Sequence, residues 1–116
     1  MINRAAIILK YLEPMVRWIN AADPHDDDPG ITAESLIQER TVYLIDGDIF
    51  DSEDAAQSWI DANYEVLFED ELEGWYTDRK LWPKKRSLKL FREWFGVEYH
   101  SCIVDTVGGK IVDDGA

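Results

Sequence analysis

From Ser52 to Trp75 the apolar residues Ala56, Trp59, Ile60, Tyr64, Leu67, Phe68, Leu72 and Trp75 recur at steps of three and four. That spacing keeps one face of an α-helix apolar over about six turns. Ser52 is placed to cap it, and either one long helix or two joined by a kink near Asn63 would preserve the stripe. The opposite face carries Asp61, Glu65, Glu69 and Glu73 at strict four-residue steps. Like charges at that spacing cost about 0.2–0.5 kcal/mol per pair, so the helix needs tertiary packing to persist. Whatever this chain folds into must supply an apolar surface for that stripe.

Residues 5–12 supply one. Ala5, Ile7, Leu9 and Tyr11 alternate with Ala6, Ile8 and Leu12, so both faces are apolar, as in a strand well inside a sheet that is covered on both sides. Residues 13–22 follow at helical spacing, with Pro14 in the first turn, and Asp23-Pro24 ends them. Residues 24–30 read as a solvated loop, and Thr32 as the N-cap of a short helix to Glu39. Residues 41–46 form the second strand, with a turn at Asp46-Gly47-Asp48. Residues 74–83 are a connection. Ser87 then caps a helix bearing Leu88, Phe91, Trp94 and Phe95, with Gly96 where a left-handed C-terminal residue is expected. Residues 97–106 are the third strand. The order β-α-(α)-β-α-(α)-α-β describes an α+β domain, or a small α/β one, with a three-stranded sheet covered by helices. At 116 residues this is one domain, taken as 1–106, with 107–116 as a loose tail.

Charge is sorted along the chain. Between Asp46 and Asp78 there are acids and no Lys or Arg; between Arg79 and Arg92 the reverse holds. The net charge of −12 repels phosphate backbones, which excludes ordinary nucleic-acid binding and favours a protein partner of basic character. The single cysteine, Cys102, allows no intramolecular disulfide and fits a reducing cytoplasm. The run at residues 1–15 is broken by Lys10 and Glu13 and lacks a small-residue cleavage site, so it reads as a strand and not a signal peptide. No segment has the length of a membrane span.

Where the acidic and basic stretches meet stand Trp75, Tyr76, Arg79, Trp82 and Arg86. Aromatic and arginine side chains concentrate at interaction hot spots, so these five form a candidate binding surface, as does the acidic row Glu65, Glu69 and Glu73. Both have a plainer reading. The tryptophans can wedge the connection against the core, and the basic stretch can lie beside the acidic helix and relieve its self-repulsion. His25 with Asp26, Asp27 and Asp28 lacks the alternating ligands of a calcium loop, so no metal is expected. His100, Cys102 and Asp105 lie on the expected third strand. Neighbours two apart on one strand face are about 6–7 Å apart, too far for a direct Cys–His pair, and Cys102 reads as a small core hydrophobe. His100 with Asp105 is the candidate for any acid–base chemistry. None of the common phosphate-loop, dinucleotide, zinc-protease or hydrolase motifs occurs, so no cofactor is expected.

Three segments, IILKYLEPMVRWINAADP, FEDELEGWYTDRKLWP and FREWFGVEYHSCIVD, make the chain similar to a family of small bacterial proteins without assigned function. The resemblance spans most of residues 7–105 and implies a bacterial, cytoplasmic protein. It brings no activity, cofactor or catalytic residue with it. The residues themselves point to a non-enzymatic protein-binding or regulatory module. The alternatives are an acidic mimic of nucleic acid that blocks a basic protein surface, and an enzyme with an unfamiliar site around His100.

Overall fold

Among the described residues, three antiparallel strands in the order β2-β1-β3 and three α-helices make an α+β fold in the expected element order. The structure is a computed structural model and describes residues 1–22, 40–113 and 115. The expected loop at 24–30 and helix at 32–39 lie outside the described residues, as do His25 and Asp26–Asp28.

Strand β1 (Arg4–Tyr11) is central, as its apolar character required. It pairs with β2 (Val42–Asp46) through Ile7 opposite Tyr43, and with β3 (Phe95–His100) through Leu9 opposite Val97. The odd-numbered β1 residues Ala5, Ile7 and Leu9 are buried in one apolar cluster. Into it pack Met15, Val16 and Ile19 of α1 (Glu13–Ala22), Ala56, Ile60, Leu67, Phe68 and Leu72 of α2 (Glu53–Trp75), and Phe91 of α3 (Leu88–Trp94). Phe68 lies at its centre, with ring centroids 5.4 Å from Phe95, 5.5 Å from Trp94 and 5.8 Å from Phe91. Full burial of such a side chain stabilises by about 1.5–3 kcal/mol in transfer free energy alone.

Helix α2 runs as one helix of 23 residues through Asn63, whose side-chain amide donates to the Trp59 carbonyl at 2.8 Å. Ser52 caps it by accepting from the Ala55 amide, and Ser87 caps α3 by accepting from the Leu90 amide. Glu53 and Asp54 in the first turn of α2 suit the helix dipole.

The described helices pack on the β1 face that bears Ala5, Ile7 and Leu9; on the opposite face Ala6 is buried as well. Two expectations need correction. Gly96 was to end α3 in the left-handed region; instead Phe95 leaves the helix with extended backbone (φ −130°, ψ 132°) and the chain passes straight into β3. The third strand was to reach residue 106; its ladder stops at His100, opposite Ala6 near the start of β1. One further bond, from the Ile2 amide to the Ile103 carbonyl, continues the contact. Cys102 is consequently exposed and not a core residue.

Candidate functional site

The junction between the acidic and basic stretches folds back on the domain. Residues Arg79–Leu81 form a short 3-10 helix capped by Asp78. Trp82 behind it is only 4 % exposed and donates from Nε1 to the Tyr76 carbonyl at 2.7 Å. Arg79 and Arg86 lie over its ring, with their guanidinium carbons 5.0 and 5.7 Å from the centroid. From α1, Trp18 donates to the Leu81 carbonyl and the Ile19 carbonyl accepts from the Tyr76 hydroxyl. Trp75 donates to the Tyr11 hydroxyl. All three junction aromatics therefore spend their polar atoms within the chain.

The acidic row on α2 is divided. Glu69 accepts from Arg86 at 3.1 Å and Asp61 from Arg92 at 2.7 Å, so the segment after the junction clasps α2 at two points one helical stretch apart. Glu65 and Glu73 remain exposed, with Val66 exposed between the clasps.

A group that the sequence reading missed lies where α2 crosses β1 and β2. Glu71 is 6 % exposed and is the buried charged residue of the described core. Its Oε2 accepts from the Tyr11 hydroxyl at 2.5 Å, and its Oε1 lies 2.8 Å from the Tyr43 hydroxyl, which is also 2.7 Å from Asp70 Oδ2. Burial pushes the Glu71 carboxyl above the ordinary carboxylate value, while the hydrogen bonds from Tyr11 and Tyr43 pull it down and the Asp70 charge raises it. Burial likewise raises both tyrosines well above the ordinary phenol value, with the two carboxylates adding to the effect. A sequence signal for Glu71 existed. It stands four residues after Leu67 and four before Trp75, on the apolar stripe itself.

The second missed feature is the outer face of the sheet. There Ala6 and Ile8 of β1 are paired with Leu44 and Val42 of β2. Val42 and Leu44 are 52 % and 49 % exposed, and β2 is an edge strand among the described residues. On the same face, Glu98 of β3 lies opposite Ile8 and receives Arg40 at 3.6 Å.

His100 is exposed on β3, and its Nε2 is 2.9 Å from Glu98 Oε2. That hydrogen bond, with help from Arg40, holds the Glu98 carboxyl below the usual range. Asp105 does not pair with it: the carboxylate accepts from the Val107 amide in a local turn. A shallow cleft of about 260 Å³ lies between Met1–Arg4, Gly47, Asp48 and Ser101. Among the described residues no group of three His, Cys, Asp or Glu could hold a metal ion, and no helix is long and apolar enough to cross a membrane.

No protein-family model, no curated protein and no solved structure matches the chain. The resemblance carried by the three segments therefore has no family model behind it, and function rests on the geometry.

Proposed function

We propose that the protein is a non-enzymatic binding module that takes an extended segment of a protein partner along the outer edge of β2, which pairs with no further strand among the described residues. The observation that carries this reading is the apolar outer face. A strand face turned to water ordinarily carries polar residues, yet among the described residues Val42 and Leu44 stand half exposed on the face they share with Ala6 and Ile8. A strand edge also offers unpaired backbone amides and carbonyls, which an extended peptide can complete.

The same geometry selects the partner's chemistry. Successive residues of an added strand point to opposite faces. Those on the outer side would meet Val42 and Leu44; those on the other would meet Tyr43 and the exposed Asp70 beside it. Asp48 adds charge in the turn that follows β2. An alternation of apolar and basic residues satisfies both sides, and the net charge of −12 draws such a segment in.

NMR titration with a synthetic peptide of alternating Val and Lys tests this. Amide shifts should be confined to β2 and the adjoining outer-face residues of β1, and Leu44→Lys should weaken binding roughly tenfold or more. Equal binding of an alternating Val–Glu peptide would overturn the reading. So would shifts that depend on protein concentration alone, which would make a second copy the occupant. The mimicry alternative draws on fewer carboxylates than the sequence offered, since Asp61 and Glu69 are already paired. Binding to a basic protein that survives Leu44→Lys, but is lost with Glu65→Lys and Glu73→Lys together, would favour mimicry instead.

A further inference from the structure

Tyr43 has one hydroxyl proton and two carboxylate neighbours. Its oxygen is 2.7 Å from Asp70 Oδ2 and 2.8 Å from Glu71 Oε1. The Tyr11 proton is already directed to Glu71 Oε2, and the Trp75 proton to the Tyr11 oxygen. With both carboxylates ionised, this leaves the Tyr43 proton to serve two contacts. A phenol O–H in line with one anionic oxygen turns its lone pairs toward the other, and at such a separation that contact is repulsive.

We propose that Asp70 and Glu71 hold one extra proton between them, seated on Glu71 and relayed through Tyr43, and that this proton fastens β2 to α2. Protonated Glu71 donates from Oε1 to the Tyr43 oxygen, freeing the Tyr43 proton for Asp70. Every contact then has its own proton. The seat is Glu71 because it is 6 % exposed, whereas Asp70 is exposed to water that stabilises its charge. The groups facing Glu71 are Tyr11 from β1, Tyr43 from β2, and Asp70 and Trp75 from α2 itself. Among the described residues, no Lys, Arg or His bonds to Glu71, and the charge beside it is the like charge of Asp70.

The upward shift of Glu71 agrees with this placement and fixes the direction of the effect. A carboxyl whose value is raised on folding contributes stability that is complete below the ordinary carboxylate value. That contribution is lost as pH rises through the group's own, higher value. Loss of the proton restores two adjacent anions competing for the Tyr43 hydroxyl, and β2 gives up one of the two hydrogen bonds by which Tyr43 meets α2. The device thus loosens β2 on the alkaline side, opposite in sense to a carboxylate held by arginine.

The test is a carbon-detected NMR titration of the side-chain carboxyls in the full chain, paired with Glu71→Gln. The variant is a close mimic of the protonated acid: its carbonyl accepts the Tyr11 proton while its amide donates to Tyr43. Glu71 should titrate above the ordinary carboxylate value, and the amides of Val42–Asp46 should shift with the same midpoint. In Glu71→Gln that shift of β2 should vanish, as should the matching fall of stability with rising pH. Glu71 titrating at or below the ordinary value in the unmodified protein would overturn the proposal, whatever the variant does. Retention of the β2 shift in a folded Glu71→Gln would overturn it too. Neither readout involves a peptide ligand, so the result is independent of the docking proposed for the β2 edge.

Discussion

The two faces of the sheet are built from the same kinds of side chain and meet different fates. Inward, Ile7, Leu9 and Ile45 are buried under the helices, with Tyr43 and Tyr99 at the margin. Outward, Ala6 is buried and Ile8 half-buried on the central strand, while Val42 and Leu44 on β2 are half exposed. Among the described residues, burial follows the position of a side chain beneath other elements and not its hydrophobicity alone. Apolar character on a strand shows that a face is fit to be covered; the cover itself is a property of other elements.

That comparison can be broken by mutation. Phe68→Ala, beneath the inner face, should cost about 3–5 kcal/mol through lost transfer energy and the cavity left among Phe91, Trp94 and Phe95. Chemical denaturation should show the midpoint fall with an unchanged slope. Glu71→Ala removes the acceptor of the Tyr11 hydroxyl at the inner margin and should cost about 1–3 kcal/mol by the same measurement. Arg86→Ala releases Glu69 and uncovers the Trp82 ring at the helix rim, for about 1 kcal/mol, part of it sensitive to salt. Leu44→Lys, on the outer face, should change stability by no more than about 0.5 kcal/mol. A loss from Leu44→Lys as large as that from Phe68→Ala would mean that the outer face is as firmly covered as the inner one.

The inner face was legible before any coordinates. The period of the α2 stripe, the serine caps and the doubly apolar β1 all come from neighbours within a few residues, and sequence displays such spacing directly. Trp82 was legible only as a pair of options, because its burial depends on Trp18 and Ile19 holding the connection from a distant helix. Glu71 was hidden among the acids of FEDELE. Its partners Tyr11 and Tyr43 belong to other strands, and only its place on the stripe set it apart. The end of β3 was misjudged for the same reason. The alternation of residues 97–106 is a local property, while the length of the ladder depends on pairing with β1, which ends at Ala6 opposite His100.

The position of β1 has a consequence for how the chain reaches this state. The middle strand comes first in sequence, and one of its neighbours, β3, comes last; Ala6 and His100 are partners although about ninety residues separate them. Closing so long a loop is entropically costly, and the cost rises with the logarithm of its length. During synthesis, β1 can meet α1 and β2 early, but its other edge stays unmatched until β3 has emerged. Over that interval the edge of the future centre is exposed, rich in Ile and Leu, and able to pair with any strand it meets. The finished fold hides its most adhesive strand in the middle of the sheet; the unfinished one presents it first.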